Sequence, residues 1–349
     1  MKLKFFFLAI FSTALFASCD KDDPEPHPID IPEGRLLLIG NQGGFTNENA
    51  EVTLINLDQN TTTPNAFAHA NDGALLGDIL QSMTQIGDEI FLVVNNSAKV
   101  EVVNADDLTR TNTIAISNSS PRYMLDLGGD KAYVSDLYSN VLHLIHPSTG
   151  TYGGQIDVGI AVERMAMYNG EVYATGIMGD TLVVIDPATD EVIRGVGVPG
   201  RPDDLAFDAL GRLWCMTEGE GEEGGLEPMV YIFDPQDLTL LSTLEFPEGT
   251  GIGSNMAMNS AGDIVYLMAG GEVYAVNIHD IQWPENPWKT QGSLNYYSMF
   301  VDPQTDDVVI ATSVDATQNG KVFIYSPDGA EKRSYTVGVF PGSALWVER

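Results

Sequence analysis

The sequence predicts an all-β fold, a seven-bladed β-propeller of four-stranded blades that the C-terminal strand closes. Three observations support this prediction. A strand of alternating apolar residues that ends in a turn-forming residue recurs seven times. From the second copy onward, another strand precedes it, entered through a Gly or Asp turn that is typical of a hairpin. The copies end 40 to 49 residues apart, close to the length of about 40–45 residues that a propeller blade needs.

The recurring strand is predicted to lie third in each blade. Its copies read VTLIN, VEVVN, LHLIH, LVVID, VYIFD, VYAVN and VFIYS, and they end at Asn56, Asn104, His146, Asp186, Asp234, Asn277 and Ser326. The strand before it reads EIFLVV, KAYVS, EVYAT, RLWCM, DIVYLM or DVVIAT. A first strand is indicated by a short apolar stretch around Met83, Met124, Met165, Leu205, Met256 or Met299. With the strand that follows the next turn, each unit has four strands.

The two ends of the repeat region are predicted to complete a single blade. The chain ends in SALWVER, which has the pattern of a first strand, whereas the first unit begins at RLLLIGN without one. Pairing these two segments would remove the sheet edges that an open ring exposes. No segment with helical periodicity interrupts the repeat. Residues 35–349 are therefore predicted to form one propeller domain.

The N-terminus has the pattern of a secretory signal. Lys2 and Lys4 precede an apolar stretch from Phe5 to Ala17, which is shorter than the roughly 20 residues of a membrane-spanning helix. The small residues before Cys19 resemble a lipoprotein signal, which implies removal of residues 1–18 and lipidation of Cys19. Residues 19–34 are rich in proline and carboxylates and are predicted to form an acidic tether.

The segment DKDDPEP directly after Cys19 resembles the export tag that sends lipoproteins of the Bacteroidota to the cell surface. This resemblance implies a lipid-anchored protein of the outer membrane that is exposed on the cell surface. An ordinary acidic tether is the alternative.

Composition excludes several classes of partner. Removal of residues 1–18 takes away Lys2 and Lys4, which leaves 15 basic against 49 acidic residues, or a net charge of −34. Nucleic acid is excluded because phosphate binding needs a positive surface. Contact with the membrane is expected through the lipid anchor alone. The only other cysteine, Cys215, has no partner for a disulfide.

The predicted binding site lies where the loops that enter the innermost strands meet around the channel. Two arginines, several carboxylates and a tyrosine pair occupy these positions, and two further aromatic side chains come from loops between second and third strands. The candidate ligand-binding residues are Phe45, Ser82, Arg122, Tyr123, Tyr138, Glu163, Arg164, Asp203, Asp204, Asn255, Tyr296 and Tyr297. Such a set can bind one large polar ligand. Mutual neutralisation of the arginines and carboxylates is the alternative.

Catalysis, metals and cofactors find little support in the sequence. It lacks HExxH, GxSxG, GxxxxGK and zinc-site spacing, so no catalytic residue, metal or cofactor is predicted and the protein is not expected to be an enzyme. The acidic loop 218–227 could bind Ca²⁺ through its oxygens, but without the DxDxDG order a solvated lid is favoured. The enzymatic alternative is a calcium-dependent lactonase, in which Glu163, Asp204 and Asn255 would imitate the metal ligands although Arg164 would repel the cation.

Three stretches carry a family resemblance. VYATGIMGDTLVVIDPATDEVI, residues 172–193, resembles the YVTN-type repeat of bacterial propellers. RPDDLAFDALGRLWCM and SNMAMNSAGDIVYLMAGGEVYAVN resemble a family of Bacteroidota surface lipoproteins, some of which capture vitamin B12 for a TonB-dependent transporter of the outer membrane. The resemblance covers residues 36–347 and implies a corrinoid ligand and a transporter partner. A scaffold that binds another envelope protein is the alternative function.

Overall fold

The structure, a computed structural model, describes residues 31, 33–220, 225–247, 250 and 253–348. The predicted signal peptide, Cys19 and most of the predicted tether lie outside the described residues, as do residues 221–224 of the acidic loop. In the part of the chain that the structure describes, no helix is long and apolar enough to cross a membrane.

Seven antiparallel sheets of four strands each form the fold, which confirms the predicted propeller. In chain order the strands are β1 (Arg35–Asn41), β2 (Glu51–Asn56), β3 (Thr61–Thr63), β4 (Leu80–Ile86), β5 (Glu89–Val94), β6 (Lys99–Asn104), β7 (Arg110–Ala115), β8 (Pro121–Gly128), β9 (Lys131–Asp136), β10 (Val141–His146), β11 (Thr151–Asp157), β12 (Met165–Tyr168), β13 (Glu171–Gly176), β14 (Thr181–Asp186), β15 (Glu191–Gly197), β16 (Pro202–Phe207), β17 (Leu213–Thr217), β18 (Met229–Phe233), β19 (Leu240–Glu245), β20 (Gly253–Met258), β21 (Ile264–Ala269), β22 (Glu272–Asn277), β23 (Lys289–Thr290), β24 (Tyr296–Val301), β25 (Val308–Thr312), β26 (Lys321–Tyr325), β27 (Glu331–Thr336) and β28 (Pro341–Glu348).

The ring is closed by the C-terminal strand, as predicted. Blade one has the strand order β28-β1-β2-β3, and blades two to seven follow in chain order from β4 to β27. β28 pairs with β1 from Arg35 opposite Glu348 to Asn41 opposite Pro341. The first strand of every blade contacts the first strands of both neighbouring blades, and β28 contacts β4 and β24. These seven first strands surround the central channel.

The hydrophobic core is divided among the seven seams between neighbouring blades. In β1, Leu36 and Leu38 pack at the seam with blade two, whereas Leu37 and Ile39 pack at the seam with blade seven. Successive side chains of a strand point to opposite faces of its sheet. A strand such as RLLLIGN, which is buried on both faces, therefore needs apolar residues at consecutive positions. Five further clusters occupy the remaining seams.

A short helix, α1 (Ala66–Ala70), interrupts the repeat between blades one and two, and the sequence did not predict it. Five residues are too few to show helical periodicity. The carboxylate of Glu51 on β2 accepts the N–H groups of Phe67 at 2.9 Å and Ala68 at 3.3 Å, so it satisfies the free donors at the helix start. The Phe67 side chain is fully buried. A 3₁₀ turn, Pro147–Thr149, precedes β11.

Candidate functional site

An irregularity at the start of the innermost strands gathers polar side chains at one mouth of the channel. Register shifts occur there in six blades. In blade four, Glu163 N–H donates to the Thr175 carbonyl at 2.9 Å and Thr175 N–H donates to the Arg164 carbonyl at 3.0 Å. Two residues thus oppose one, as in a β-bulge, which redirects side chains. We call the mouth on which these loops open the upper mouth.

Arg122 and Glu163 form a partly buried ion pair at the upper mouth. Arg122 Nε lies 3.1 and 2.9 Å from the two carboxylate oxygens of Glu163, and a second guanidinium nitrogen bonds to the same carboxylate. The side chain of Glu163 is only 2% exposed. Arg122 also donates to Gln81 Oε1. Bidentate pairs of this kind are among the stronger polar contacts in proteins. Arg122 and Glu163 thus neutralise each other, which is the alternative interpretation of the arginines and carboxylates around the channel.

Arg164 lies over the ring of Tyr123. Its guanidinium carbon is 3.8 Å from the ring centroid, whereas that of Arg122 is 5.8 Å away, and stacking of this kind favours a planar cation. Gln81 Nε2 donates to the Tyr123 hydroxyl oxygen at 2.8 Å. Burial raises the pKa of Tyr123 to about 12, so the phenol is neutral at physiological pH.

The guanidinium of Arg164 is incompletely paired. Its Nε is buried and has no hydrogen-bond partner among the described residues. The nearest carboxylate oxygen in an ion pair is Asp204 Oδ1, at 3.5 Å from Nε, which is too far for a good hydrogen bond. Arg164 is therefore incompletely paired, while 28% of its side chain remains exposed at the mouth.

Three predicted ligand residues instead connect neighbouring innermost strands. Asp204 Oδ2 accepts the N–H of Met256 at 3.0 Å, and Asn255 Oδ1 accepts the N–H of Met299 at 3.0 Å. Ser82 Oγ donates to the Arg122 carbonyl at 2.7 Å. These side chains therefore hold the blades together at the mouth.

The residues that would imitate lactonase metal ligands are each bonded elsewhere, Glu163 to Arg122 and Asp204 and Asn255 to backbone amides. Within the described ranges, no group of three or more His, Cys, Asp or Glu side chains is placed to hold a metal ion. The geometry thus gives no support to a central calcium site.

The tyrosine pair of blade seven separates. Tyr297 lies at the mouth, where its hydroxyl donates to Gln42 Oε1 and its ring is 5.2 Å from that of Phe340. Tyr296 turns away, since its hydroxyl donates to the Thr290 carbonyl on the outermost strand of blade six at 2.8 Å. Tyr296 therefore does not join the mouth, because adjacent residues in extended chain point in different directions.

Phe45 and Tyr138 lie on the outer part of the same face. They are 67% and 74% exposed, in the β1–β2 and β9–β10 loops. Gln42 and Gln81 were not among the predicted ligand residues, although both bond to members of the mouth. The repeat alignment places Gln81 beside Ser82 and could have indicated it. The pairing of Gln42 with Tyr297 joins residues 255 positions apart, and the sequence contains no signal for it.

Asp203 is the carboxyl group at the mouth that is most perturbed. Burial raises its pKa well above the ordinary value, and the charge of Asp204 raises it further, while Arg164 acts in the opposite direction. The folded protein therefore favours the protonated acid. The contribution of Asp203 to the free energy of unfolding is therefore fully present at low pH and is lost as the pH rises through the folded-state pKa of this residue.

Asp203→Asn is accordingly expected to stabilise the protein near pH 8, because it removes a carboxylate whose ionisation the fold disfavours. The gain in the midpoint of thermal unfolding should shrink as the pH falls towards about 4, where Asp203 is protonated in the folded protein. Thermal unfolding of both proteins, measured from about pH 4 to about pH 8, tests this prediction. Asp88→Asn, the same change at an exposed aspartate, is the control. A loss of stability in Asp203→Asn near pH 8 would contradict the interpretation.

A family model described as a domain of unknown function, DUF5074, matches residues 35–345. No curated protein matches the chain. A quinoprotein alcohol dehydrogenase-like protein from Bacteroides thetaiotaomicron VPI-5482 is 13% identical, with a TM-score of 0.68 over 90% of this chain and 78% of that one. A candidate 6-phosphogluconolactonase from Bacteroides fragilis NCTC 9343 is 12% identical, with a TM-score of 0.68 over 92% of this chain and 100% of that one.

Dihydro-heme d1 dehydrogenase NirN, in complex with DHE, is 10% identical, with a TM-score of 0.60 over 92% of this chain and 76% of that one. At these identities the likeness establishes the fold alone. Membership of the YVTN-repeat and B12-capturing families stays a prediction.

Proposed function

The chain belongs to the DUF5074 family of domains of unknown function, and from that premise we propose that it is a binding protein that captures a small molecule at the upper mouth of its channel. The observation that carries this proposal is Arg164. A guanidinium that is stacked on an aromatic ring, belongs to a side chain that is 28% exposed and has no hydrogen bond at Nε is suited to hold an acceptor group of a ligand. No catalytic role is proposed for the residues around it.

The setting of this activity follows from the resemblances of the sequence. We propose that the mature protein is attached to the outer membrane through Cys19, is exposed on the cell surface and passes its ligand to a TonB-dependent transporter. Kinship with B12-capturing lipoproteins supports a corrinoid as the ligand. The central cavity of about 270 Å³ lies slightly below the range of about 300–1,000 Å³ that is usual for drug-sized ligands. A corrinoid would therefore lie across the upper mouth, within reach of Tyr138 and the other loops.

We expect Arg164→Gln to weaken binding by about 10- to 100-fold, because a hydrogen bond from a charged donor contributes roughly 1.5–3 kcal/mol. Calorimetric titration of the purified protein with cyanocobalamin, haem, a siderophore panel and small carboxylates tests this. Arg194→Gln is the matched control, since Arg194 pairs with Glu171 away from the mouth. Equal affinity in Arg164→Gln and the control, or no binding by any compound, would contradict the proposal.

A protein-binding scaffold is the second candidate function, and one observation favours it. Among the described residues, Tyr138 and Phe45 are the two most exposed large apolar side chains, and both lie in loops of the same face. Exposed apolar side chains that share a face are typical of docking surfaces. For a scaffold, pull-down from outer membranes would recover the same partner with Arg164→Gln as with the unchanged protein.

A further inference from the structure

We infer that a surface patch over blade one docks a partner protein that presents apolar side chains bordered by Lys or Arg. The patch lies on the upper face, outside the channel mouth. We call it the blade-one patch, and it consists of Phe45, Leu75, Val314, Glu48, Asp72 and Asp315. The inference goes beyond ligand capture and rests on the second candidate function, the protein-binding scaffold, to which it assigns a surface and a class of partner.

The patch is built on three loops of the upper face that are longer than the repeat requires. In blades two to four, the loop between the second and third strands has four residues, whereas it covers residues 42–50 in blade one and 313–320 in blade seven. Residues 64–79, which include α1, form the longest connection between blades. Long loops on a regular scaffold commonly serve binding. The repeat thus departs from its regular form where blades seven, one and two meet.

These three loops contact one another, so their exposed side chains form one surface. Thr46 N–H in the blade-one loop donates to Oδ2 of Asp78, in the connection to blade two, at 2.8 Å. The carbonyl oxygen of Ala316 in the blade-seven loop lies only 2.8 Å from the place that a Cβ atom of Gly44 would occupy. Contacts of this kind fix the loop backbones before a partner binds, which lowers the entropic cost of association.

The apolar part of the patch is highly exposed. Among the described residues, Phe45, Leu75 and Val314 are three of the five most exposed large apolar side chains, and each is at least 59% exposed. A single exposed leucine is ordinary in a folded protein, but a group of such side chains on one surface indicates an interaction site. A few apolar anchors of this kind can supply most of the affinity of an interface.

The polar part of the patch is acidic. Glu48, Asp72 and Asp315 are exposed, and each lies within three residues of one of the apolar side chains. The three loops contain no Lys or Arg, so these carboxylates are not neutralised by cations of the same loops. Charges across a protein interface are complementary. The partner is therefore expected to carry positive charge beside its apolar contact surface.

Two other occupants fit the patch poorly. A second copy of the chain that docks through the same patch would place the carboxylates opposite each other, and juxtaposed like charges disfavour an interface. A membrane that contains anionic lipids would be repelled by the same carboxylates. A different protein, with Lys or Arg around an apolar surface, has neither disadvantage.

Photo-cross-linking in cells that produce the whole chain tests the inference. A photoreactive phenylalanine analogue is placed at Phe45, at Leu75 or, as a control, at Leu210, which is almost as exposed and lies in the β16–β17 loop on the opposite face. One protein should cross-link at positions 45 and 75 but not at position 210. Mass spectrometry of the cross-linked peptides should locate the contact on an apolar surface of the partner that is bordered by Lys or Arg.

Surface plasmon resonance with the purified chain and the partner identified in this way gives the second measurement. The double variant Phe45→Ser and Leu75→Ser should bind about tenfold more weakly or worse, because it removes two apolar anchors. The double variant Glu48→Lys and Asp315→Lys should associate more slowly. Leu210→Ser should bind like the unchanged protein. Thermal unfolding of each variant checks that it is folded.

Cross-links from the patch to a second copy of the chain or to lipid alone would overturn the inference. So would a partner surface lined by carboxylates, or equal affinity in the patch variants and Leu210→Ser. If a partner cross-links at position 210 alone, the inference fails while the scaffold function stands. If no protein cross-links at any position, both fail, whereas capture of a small molecule is decided separately by the titrations of Arg164→Gln.

Discussion

Deletion of residues 341–349 is expected to abolish the folded monomer. β28 supplies Ala344 and Trp346 to the seam with blade seven, and Leu345 and Val347 to the seam with blade two. Their loss removes apolar burial of roughly 5–8 kcal/mol, at about 1.5–3 kcal/mol for each large side chain. This is comparable with the whole stability of a typical domain, about 5–15 kcal/mol. The deletion also exposes the edge of β1, which becomes open to pairing with other chains.

The measurements are soluble yield, size-exclusion chromatography and circular dichroism during thermal unfolding. A permuted chain gives the matched control. Because Arg35 lies opposite Glu348 in the sheet, a short loop can join residue 348 to residue 35, with new termini between residues 340 and 341. This permutant keeps every strand and should remain folded. A truncated chain that melts cooperatively as a monomer, near the temperature of the unchanged protein, would show that the closure by β28 is dispensable.

The repeat made the fold predictable because every blade satisfies the same requirements. Consecutive apolar residues in strands such as Leu36–Ile39 indicate sheets buried on both faces, and the unmatched segment at each end indicates the closure. Helix α1 escaped prediction because its start is stabilised by Glu51, a side chain from another strand. The sequence of residues 66–70 alone does not indicate such a tertiary contact.

The candidate site was predictable in position but not in its bonds. Alignment of the blades identified the polar pairs at the channel mouth, and the structure brings Arg122, Tyr123, Glu163 and Arg164 together there. Which member of each pair faces the channel depends on the bulge and on the neighbouring blade. Asp204 and Asp203 are adjacent, yet one accepts a backbone N–H of the next blade and the other is a partly buried acid with a raised pKa.

The same bonds separate structural from binding roles among the charged residues. Arg122 is satisfied by Glu163 and Gln81, whereas Arg164 keeps an unpaired donor. The two arginines at the mouth therefore differ in what they can do. A variant of the first should change the stability of the fold, and a variant of the second should change the binding of a ligand.

Glu163→Leu is expected to destabilise the protein by up to about 3–5 kcal/mol, because it leaves the guanidinium of Arg122, whose side chain is only 20% exposed, without a carboxylate. The double variant with Arg122→Leu should recover most of that loss, since a pair of apolar side chains can replace a buried ion pair at little cost. Equilibrium unfolding in urea of the unchanged protein, Glu163→Leu, Arg122→Leu and the double variant gives four free energies, and their non-additivity gives the coupling between the two residues.

The pair Arg201–Glu218, whose side chains are 45% and 21% exposed, provides the control cycle. Its coupling should stay below about 1 kcal/mol, because exposed ion pairs contribute little. Ligand affinity supplies an independent measurement, since the double variant at Arg122 and Glu163 leaves Arg164 in place and should still bind. Additive losses in the first cycle would show that the Arg122–Glu163 pair does not stabilise the mouth. Loss of binding in a well-folded double variant would move the ligand contact from Arg164 to Arg122.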